Sequence, residues 1–240
     1  MHCVILAAGT ASRLRPLTDS TPKCLLHIGS SSILERTIRA AFHAGVINFT
    51  VVVGFQDWMI KNFLKRNFPS LSFTFVVNNQ FETTNNAFSL LQARGEIEGH
   101  ELLLMDGDIV FDDELIPLLI KSPRQSCLAV RTNGSIGEEE IKVEIDEKQK
   151  IVRIGKEIPA AAAFGESIGI EKFSRGDTIK LFSTLEKRII KENRVNEFYE
   201  ASFQEMIDGG SHIYAVDAGP YRSMEIDTVE DLRAAETLFS

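Results

Sequence analysis

The residues of this 240-residue chain best suited to chemistry are two pairs of acids and two cations. Asp106 and Asp108 close the apolar run ELLLMDGD. Glu225 and Asp227 stand in YRSMEID, near the end of the sequence. Acids at the end of an apolar strand are costly unless solvated or paired with a cation. Their i, i+2 spacing points both members of a pair to one side of a strand, although Gly107 can break that pattern. Two separated acids converging on Mg²⁺ meet the demand of phosphoryl and nucleotidyl transfer: the metal ties phosphate oxygens and offsets charge in the transition state. Asp227 admits a second reading. It precedes TVEDL, so it fits a helix N-cap, with Glu230 three residues on completing a capping box.

The cations Arg13 and Lys23 lie in LAAGTASRLRPLTDSTPKC, directly after an apolar run. The small residues Ala7, Ala8, Gly9, Thr10, Ala11 and Ser12 allow backbone N–H groups to approach a phosphate and form an anion-binding nest. Arg13 and Arg15 can add charge-assisted hydrogen bonds. Lys23, stiffened by Pro22, supplies a point charge suited to an α-phosphate. The loop is neither GxxxxGK[ST] nor GxGxxG, and a bare glycine-rich turn is more often a solvated surface feature. The functional case rests on the whole string.

These groups need elements to position them. Residues 2–7, HCVILA, read as a buried parallel strand. Residues 31–44 have helical spacing, with Ile33, Leu34, Ile38, Ala41 and Phe42 apolar and Gly45 as the stop. NFTVVVG, LSFTFVV and ELLLMDGD read as three further strands. Residues 57–67, 85–94 and 112–121 read as the helices between and after them. Strand and helix thus alternate four times over about residues 1–122, the pattern of a doubly wound, Rossmann-like α/β sheet. In such sheets ligands bind outside the carboxyl ends of the strands. The Gly9 loop and the acids at 106–108 both fall at that edge.

The second half, about 123–240, reads as a small β extension with SCLAVRT, IKVEID, KIVRIG and AFGESIGI as strands. Helices are expected at 178–192, 197–207 and 229–239. The whole chain reads as one domain with a nucleotide-facing half and an acceptor-facing half.

Composition excludes several classes. The net charge is −8, from 34 acidic and 26 basic residues, a poor basis for nucleic-acid binding. Cys3, Cys24 and Cys127 are too scattered for a metal site or a disulfide framework, so reduced core thiols are expected. No run nears the about 18 apolar residues of a membrane span, and the start does not read as a charged secretory leader. A cytoplasmic protein is expected.

The segment VILAAGTASRLRPLTDSTPKCLL resembles the signature of the sugar-nucleotidyltransferase superfamily, LAAGxGxRLxPLTxxxPKxLL. The match runs through Leu6, Ala7, Ala8, Gly9, Arg13, Leu14, Pro16, Leu17, Thr18, Pro22, Lys23 and Leu25. It departs at Ala11, where the family usually has a second glycine. The resemblance implies that Arg13 and Lys23 bind and activate the triphosphate and that the loop backbone, from Leu6 to Ser12, holds nucleotide. It places Mg²⁺ on Asp108 and Asp227, with Glu225 as a weaker candidate.

The form x-N-N-x-x-S-L, with Asn85, Asn86 and Ser89, resembles the phosphocholine and 2-aminoethylphosphonate cytidylyltransferases. CTP is therefore the favoured nucleotide, with Asn79 and Asp106 among its contacts. From chemistry alone, Asn85 and Asn86 can instead cap the helix that follows. By the same resemblance Lys156 meets the acceptor phosphate; a solvated strand end is the alternative. Glu166, Tyr199 and Glu200, with Phe203 and Tyr221, mix acids with aromatics and can hold an ammonium or choline head by charge and cation–π contact, or serve helix surface and core. Met224 departs from the aromatic that often precedes EID in relatives.

The expected reaction is direct transfer: an acceptor oxygen attacks the α-phosphorus of CTP in line and pyrophosphate leaves. The expected partners are CTP and a small phosphorylated or phosphonate acceptor, without nucleic acid or membrane insertion; a homodimer is left open. The rival readings are a uridylyl- or thymidylyl-transferase acting on a sugar 1-phosphate, and a non-catalytic nucleotide-binding regulatory domain.

Overall fold

The computed structural model describes residues 1–239. It opens with β1 (His2–Ala7). Val4 and Leu6 enter one core cluster and Cys3 and Ile5 the other, as a strand covered on both faces requires. A long connection follows, carrying short 3-10 turns at Ser12–Leu14 and Lys23–Leu25. The two-residue strands β2 (His27–Ile28) and β3 (Ser31–Ser32) pair with each other. Helix α1 (Ile33–His43) starts where the Ser32 hydroxyl accepts from the Glu35 N–H at 3.2 Å. It ends at Gly45, whose φ of +91° suits glycine. Leu34, Ile38 and Ala41 form its buried stripe, whereas Phe42, expected on that stripe, is 44% exposed.

Next come β4 (Asn48–Val53), α2 (Asp57–Asn67) and β5 (Ser72–Val77). They are followed by α3 (Asn86–Gln92), the single turn α4 (Arg94–Ile97) and β6 (Leu102–Asp106). The expected 112–121 helix is shorter, α5 (Leu115–Lys121), because a strand, β7 (Ile109–Phe111), precedes it. Asp112 between them is held by Arg222 at 2.7 Å.

The second half holds β8 (Cys127–Arg131), β9 (Lys142–Ile145), β10 (Ile151–Gly155) and β11 (Gly165–Phe173). Helix α6 (Arg175–Glu186) begins earlier than expected, because Ser174 caps it through the Asp177 N–H at 3.2 Å. It widens into a π turn at Lys187–Lys191. Then follow α7 (Glu200–Asp208), β12 (Tyr214–Asp217), β13 (Ser223–Glu225) and α8 (Val229–Phe239).

The main sheet runs β10-β9-β11-β6-β1-β4-β5, with β8 joined to β11 and β12 to β8. Strands β5, β4, β1 and β6 are parallel. The winding reverses beside β1, since β4 lies on one side of it and β6 on the other, and a crevice opens at the carboxyl ends there. Strand β11 runs antiparallel to β6. Strands β8 to β12 therefore continue the same sheet.

Strands β13 and β7 form a separate antiparallel ribbon, with Glu225 opposite Ile109. Beneath it Leu14, Ile28, Ile33, Val110, Ile226 and Phe239 share a third, smaller core. That core joins the loop after β1 to the end of the chain. Cys3, Cys24 and Cys127 are buried free thiols. Among the described residues, no helix is long and apolar enough to cross a membrane.

Candidate active site

A cleft of about 530 Å³ opens at the carboxyl ends of β1 and β6. One side is the loop after β1. Ala11, where a second glycine was expected from the resemblance, adopts the left-handed conformation with φ +49°. That costs an alanine about 1–2 kcal/mol. The turn is held by the Thr18 hydroxyl and the Leu14 N–H, which donate to the Ala11 carbonyl at 2.8 and 3.1 Å. The loop therefore forms without the glycine. Gly107 is constrained by space: a Cβ there would lie 2.5 Å from the Leu6 carbonyl. The Gly107 N–H donates to that same oxygen at 2.9 Å. This close approach sets the acids after β6 directly beside the loop.

The ribbon brings the second acid pair to the first. The Ile226 N–H donates to the Asp108 carbonyl at 3.0 Å, and Ile226 is buried in the small core between Glu225 and Asp227. Asp108, Glu225 and Asp227 each present an oxygen within 4.8 Å of the others. Lys23 Nζ sits among them, 2.9 Å from Asp108 and 2.6 Å from Asp227. Arg13 also pairs with Asp227. Burial alone would lower the Lys23 pKa, but the two carboxylates outweigh it and raise it. The protein crowds Glu225 even though its side chain reaches solvent. That crowding, followed by the charges of Asp108 and Asp227, pushes its carboxyl up to about 7. Three hard carboxylate donors with unbalanced negative charge fit a divalent cation of the Mg²⁺ type.

Asp227 is not the helix cap. Thr228 caps α8, with its hydroxyl accepting from the Asp231 N–H at 3.1 Å. Asp231 accepts in return from the Thr228 N–H at 2.7 Å and the Asp227 N–H at 3.1 Å. This reciprocal cap involves Asp231 rather than Glu230. It lies one residue beyond the expected position and leaves the Asp227 carboxylate to face Lys23.

The cleft lining includes residues 6–13, Lys23, Asn85, Asn86, Asp106, Asp108, Lys156, Glu166, Glu200, Glu225 and Asp227. Asn85 does cap α3, its side-chain oxygen accepting from the Asn86 N–H at 2.8 Å. Asn86 Oδ1 accepts from the Tyr199 N–H at 3.0 Å, which ties α3 to the start of α7. Two expected contacts fall elsewhere. Asn79 is exposed and does not line the cleft; its buried neighbour Asn78 shapes the turn, donating to Thr84 and Ser89 at 3.1 and 3.0 Å. Tyr199 is fully buried behind the wall, where its hydroxyl donates to Asp106 at 2.8 Å.

Asp106 and Glu171 share that hydroxyl, with Glu171 at 3.4 Å. Burial first, then negative neighbours, raises both carboxyls well above the usual range. Burial likewise pushes Glu200 up to about 7, opposed by a hydrogen bond from its own backbone N–H and more weakly by Lys156. Glu171 was missed from sequence. Its signal is an acid inside the apolar strand IGIEKF, which demands a buried partner. Glu139, Glu140 and Ser167 also line the cleft and carry no local sequence signal. Lys156 Nζ lies 3.1 Å from Glu139 and 4.9 Å from the Phe198 ring centre.

The chain is 31% identical over 181 residues to a 2-aminoethylphosphonate cytidylyltransferase of Lancefieldella rimae, covering 75% of this chain and 70% of that one. It is 26% identical over 251 residues to a CTP:phosphoglutamine cytidylyltransferase of Campylobacter jejuni, covering 97% and 98%. It also matches a bifunctional IPC transferase and DIPP synthase of Aquifex aeolicus at 28% identity, spanning 97% of this chain but 50% of that protein. The fold is that of a CTP:phosphocholine cytidylyltransferase from Streptococcus pneumoniae, with a TM-score of 0.77 at 21% identity, covering 100% of this chain and 99% of that one. Residues 2–133, which supply the loop, Lys23 and Asp108, match the nucleotidyl transferase family model. On that match and the first of these relatives, the chain belongs to the nucleotidyl transferase family of enzymes.

Proposed function

We propose that the protein transfers the cytidylyl group of CTP to a small phosphorylated or phosphonate acceptor, in the presence of Mg²⁺. The carrying observation is the meeting of Asp108, Glu225 and Asp227 with Lys23 and Arg13 beside the loop after β1. The names of the relatives, which include two cytidylyltransferases acting on a phosphonate and a phosphoglutamine, support the choice of nucleotide and acceptor class.

The loop backbone and Arg13 orient the triphosphate. Asn86, fixed through its Oδ1, has its amide N–H groups left for the nucleotide. Lys156 stands towards the acceptor phosphate. An oxygen of the acceptor forms a bond to the α-phosphorus, and the bond from that phosphorus to the bridging oxygen breaks, releasing pyrophosphate. Asp108, Asp227 and Glu225 would hold Mg²⁺, which supplies charge neutralisation at the phosphates. Lys23 adds a fixed positive charge at the same place, so most of the rate comes from positioning and electrostatics.

Pyrophosphate release measured with CTP, UTP and dTTP tests the reading, with 2-aminoethylphosphonate, phosphocholine and glucose 1-phosphate as acceptors. CTP with one of the first two is expected to be the preferred pair. Asp108→Ala should lower kcat about 10²–10³-fold, the scale of losing one transition-state charge contact. Turnover of UTP or dTTP alone, with the sugar phosphate, would replace cytidylyl by uridylyl or thymidylyl transfer.

A further inference from the structure

The wall of the cleft away from the phosphate loop is acidic and short of partners. Glu139, Glu140, Glu166 and Glu200 line it. Two are matched by cations: Lys156 lies 3.1 Å from Glu139, and Arg131 lies 2.8 Å from Glu166. Glu200 is only 5% exposed, and its Oε2 is buried without any hydrogen-bond partner. Glu140 Oε2 and Ser167 Oγ are in the same condition. The nearby ammonium of Lys142 gives no relief. It donates to the carbonyls of Glu138, Glu140 and Lys156 at 2.9, 3.1 and 2.8 Å, which uses its three donors.

Buried acceptor atoms are almost always satisfied, and Glu140, Ser167 and Glu200 all line the ligand-sized cleft, so a ligand that brings donors would complete them. A buried carboxylate calls for a cation as well. We propose that the acceptor carries a primary ammonium, bound through its N–H donors by Glu200 on the wall it shares with Glu140 and Ser167, and that a trimethylammonium of equal charge is bound less well. This rests on the nucleotidyl-transfer reading of the cleft.

Aromatic placement supports the same choice. A trimethylammonium has no N–H and is held by aromatic faces. The aromatic residues of the lining are Phe81 and Phe198. Phe198 already has Lys156 over its ring, Phe81 stands edge-on to Phe55 with ring centres 6.4 Å apart, and Tyr199 is buried and committed to Asp106. Polyol acceptors could donate to the orphaned oxygens, but they bring no charge to set against Glu200.

Calorimetric titration of the full chain tests this, at about pH 8, above the raised Glu200 carboxyl. The protein is first saturated with Mg²⁺ and α,β-methylene-CTP. Phosphoethanolamine, phosphocholine and glycerol phosphate are then compared. Phosphoethanolamine is expected to bind at least about tenfold tighter than either, the size of one charge-assisted hydrogen bond. Glu200→Gln should remove that preference, while Glu140→Gln should weaken it. Equal or tighter binding of phosphocholine or glycerol phosphate overturns the proposal. So does a preference that survives Glu200→Gln, or binding of none of the three. The CTP analogue titrated by itself reports separately: if it fails to bind, the nucleotidyl-transfer reading falls; if it binds and the acceptor order is wrong, only the ammonium is lost.

Discussion

At the residue scale, the site is a problem of unbalanced carboxylates, solved in two places by different means. Around Lys23 an ammonium is shared by Asp108 and Asp227. Around Glu200 the chain offers only the residue's own backbone N–H and, more weakly, Lys156 from a distance, while Asp106, Glu171 and Tyr199 pack behind it. The consequence is visible in stability. Glu200 has a folded pKa of about 7 against an ordinary 4.5. Between these values the folded state keeps a proton that the unfolded state has released, so stability falls as pH rises through that window. Glu200→Gln removes the effect. Calorimetric melts should show wild type and variant equally stable below pH 4.5. Above pH 7 the variant should be more stable, by up to about 3 kcal/mol at about 1.4 kcal/mol per pKa unit. Glu225 titrates in the same window but is present in both proteins, so the difference isolates Glu200. A wild type as stable as the variant at high pH would mean that the carboxylate is solvated.

At the element scale, what local sequence announces and what it hides divide cleanly. β1, β4, α2 and α8 follow from apolar runs, helical spacing and stop signals within a dozen residues, and α2 and α8 fall on the expected residues. The loop after β1 was legible because its motif is contiguous. The β7–β13 ribbon was not: each strand has three residues, and the partners lie more than a hundred positions apart, so no local period marks them. Tyr199 has the type that suits an ammonium contact, but only packing shows that Asp106 claims its hydroxyl. The cap of α8 was one residue out because Thr228 and Asp231 answer each other as well as Asp227 and Glu230 would. That cap makes a prediction. Asp231→Ala should cost about 1 kcal/mol and also weaken Mg²⁺·CTP binding, because the Asp227 backbone loses its anchor. Glu230→Ala should do neither. Thermal melts together with nucleotide titrations decide it.

At the scale of the whole molecule, the first loop, the fourth parallel strand and the last strand meet at one point, over a small core of Leu14, Val110, Ile226 and Phe239. A ligand bound there clamps distant parts of the chain together. Saturation at about a hundredfold above Kd adds roughly 2.7 kcal/mol, which for a protein of this size raises Tm by roughly 5–10 °C. Scanning calorimetry should show that rise with Mg²⁺ and CTP together, a smaller one with either alone, and little in Asp227→Asn. The ribbon has a further consequence, for the order of events in a cell. Lys23 and Asp227 are 204 positions apart, so a chain emerging from the ribosome displays the loop after β1 long before it owns the acids that complete the centre. Until β13 zips onto β7, Lys23 and Asp108 stand without Glu225 and Asp227. Completion of the centre thus waits on β13, however early the parallel strands form.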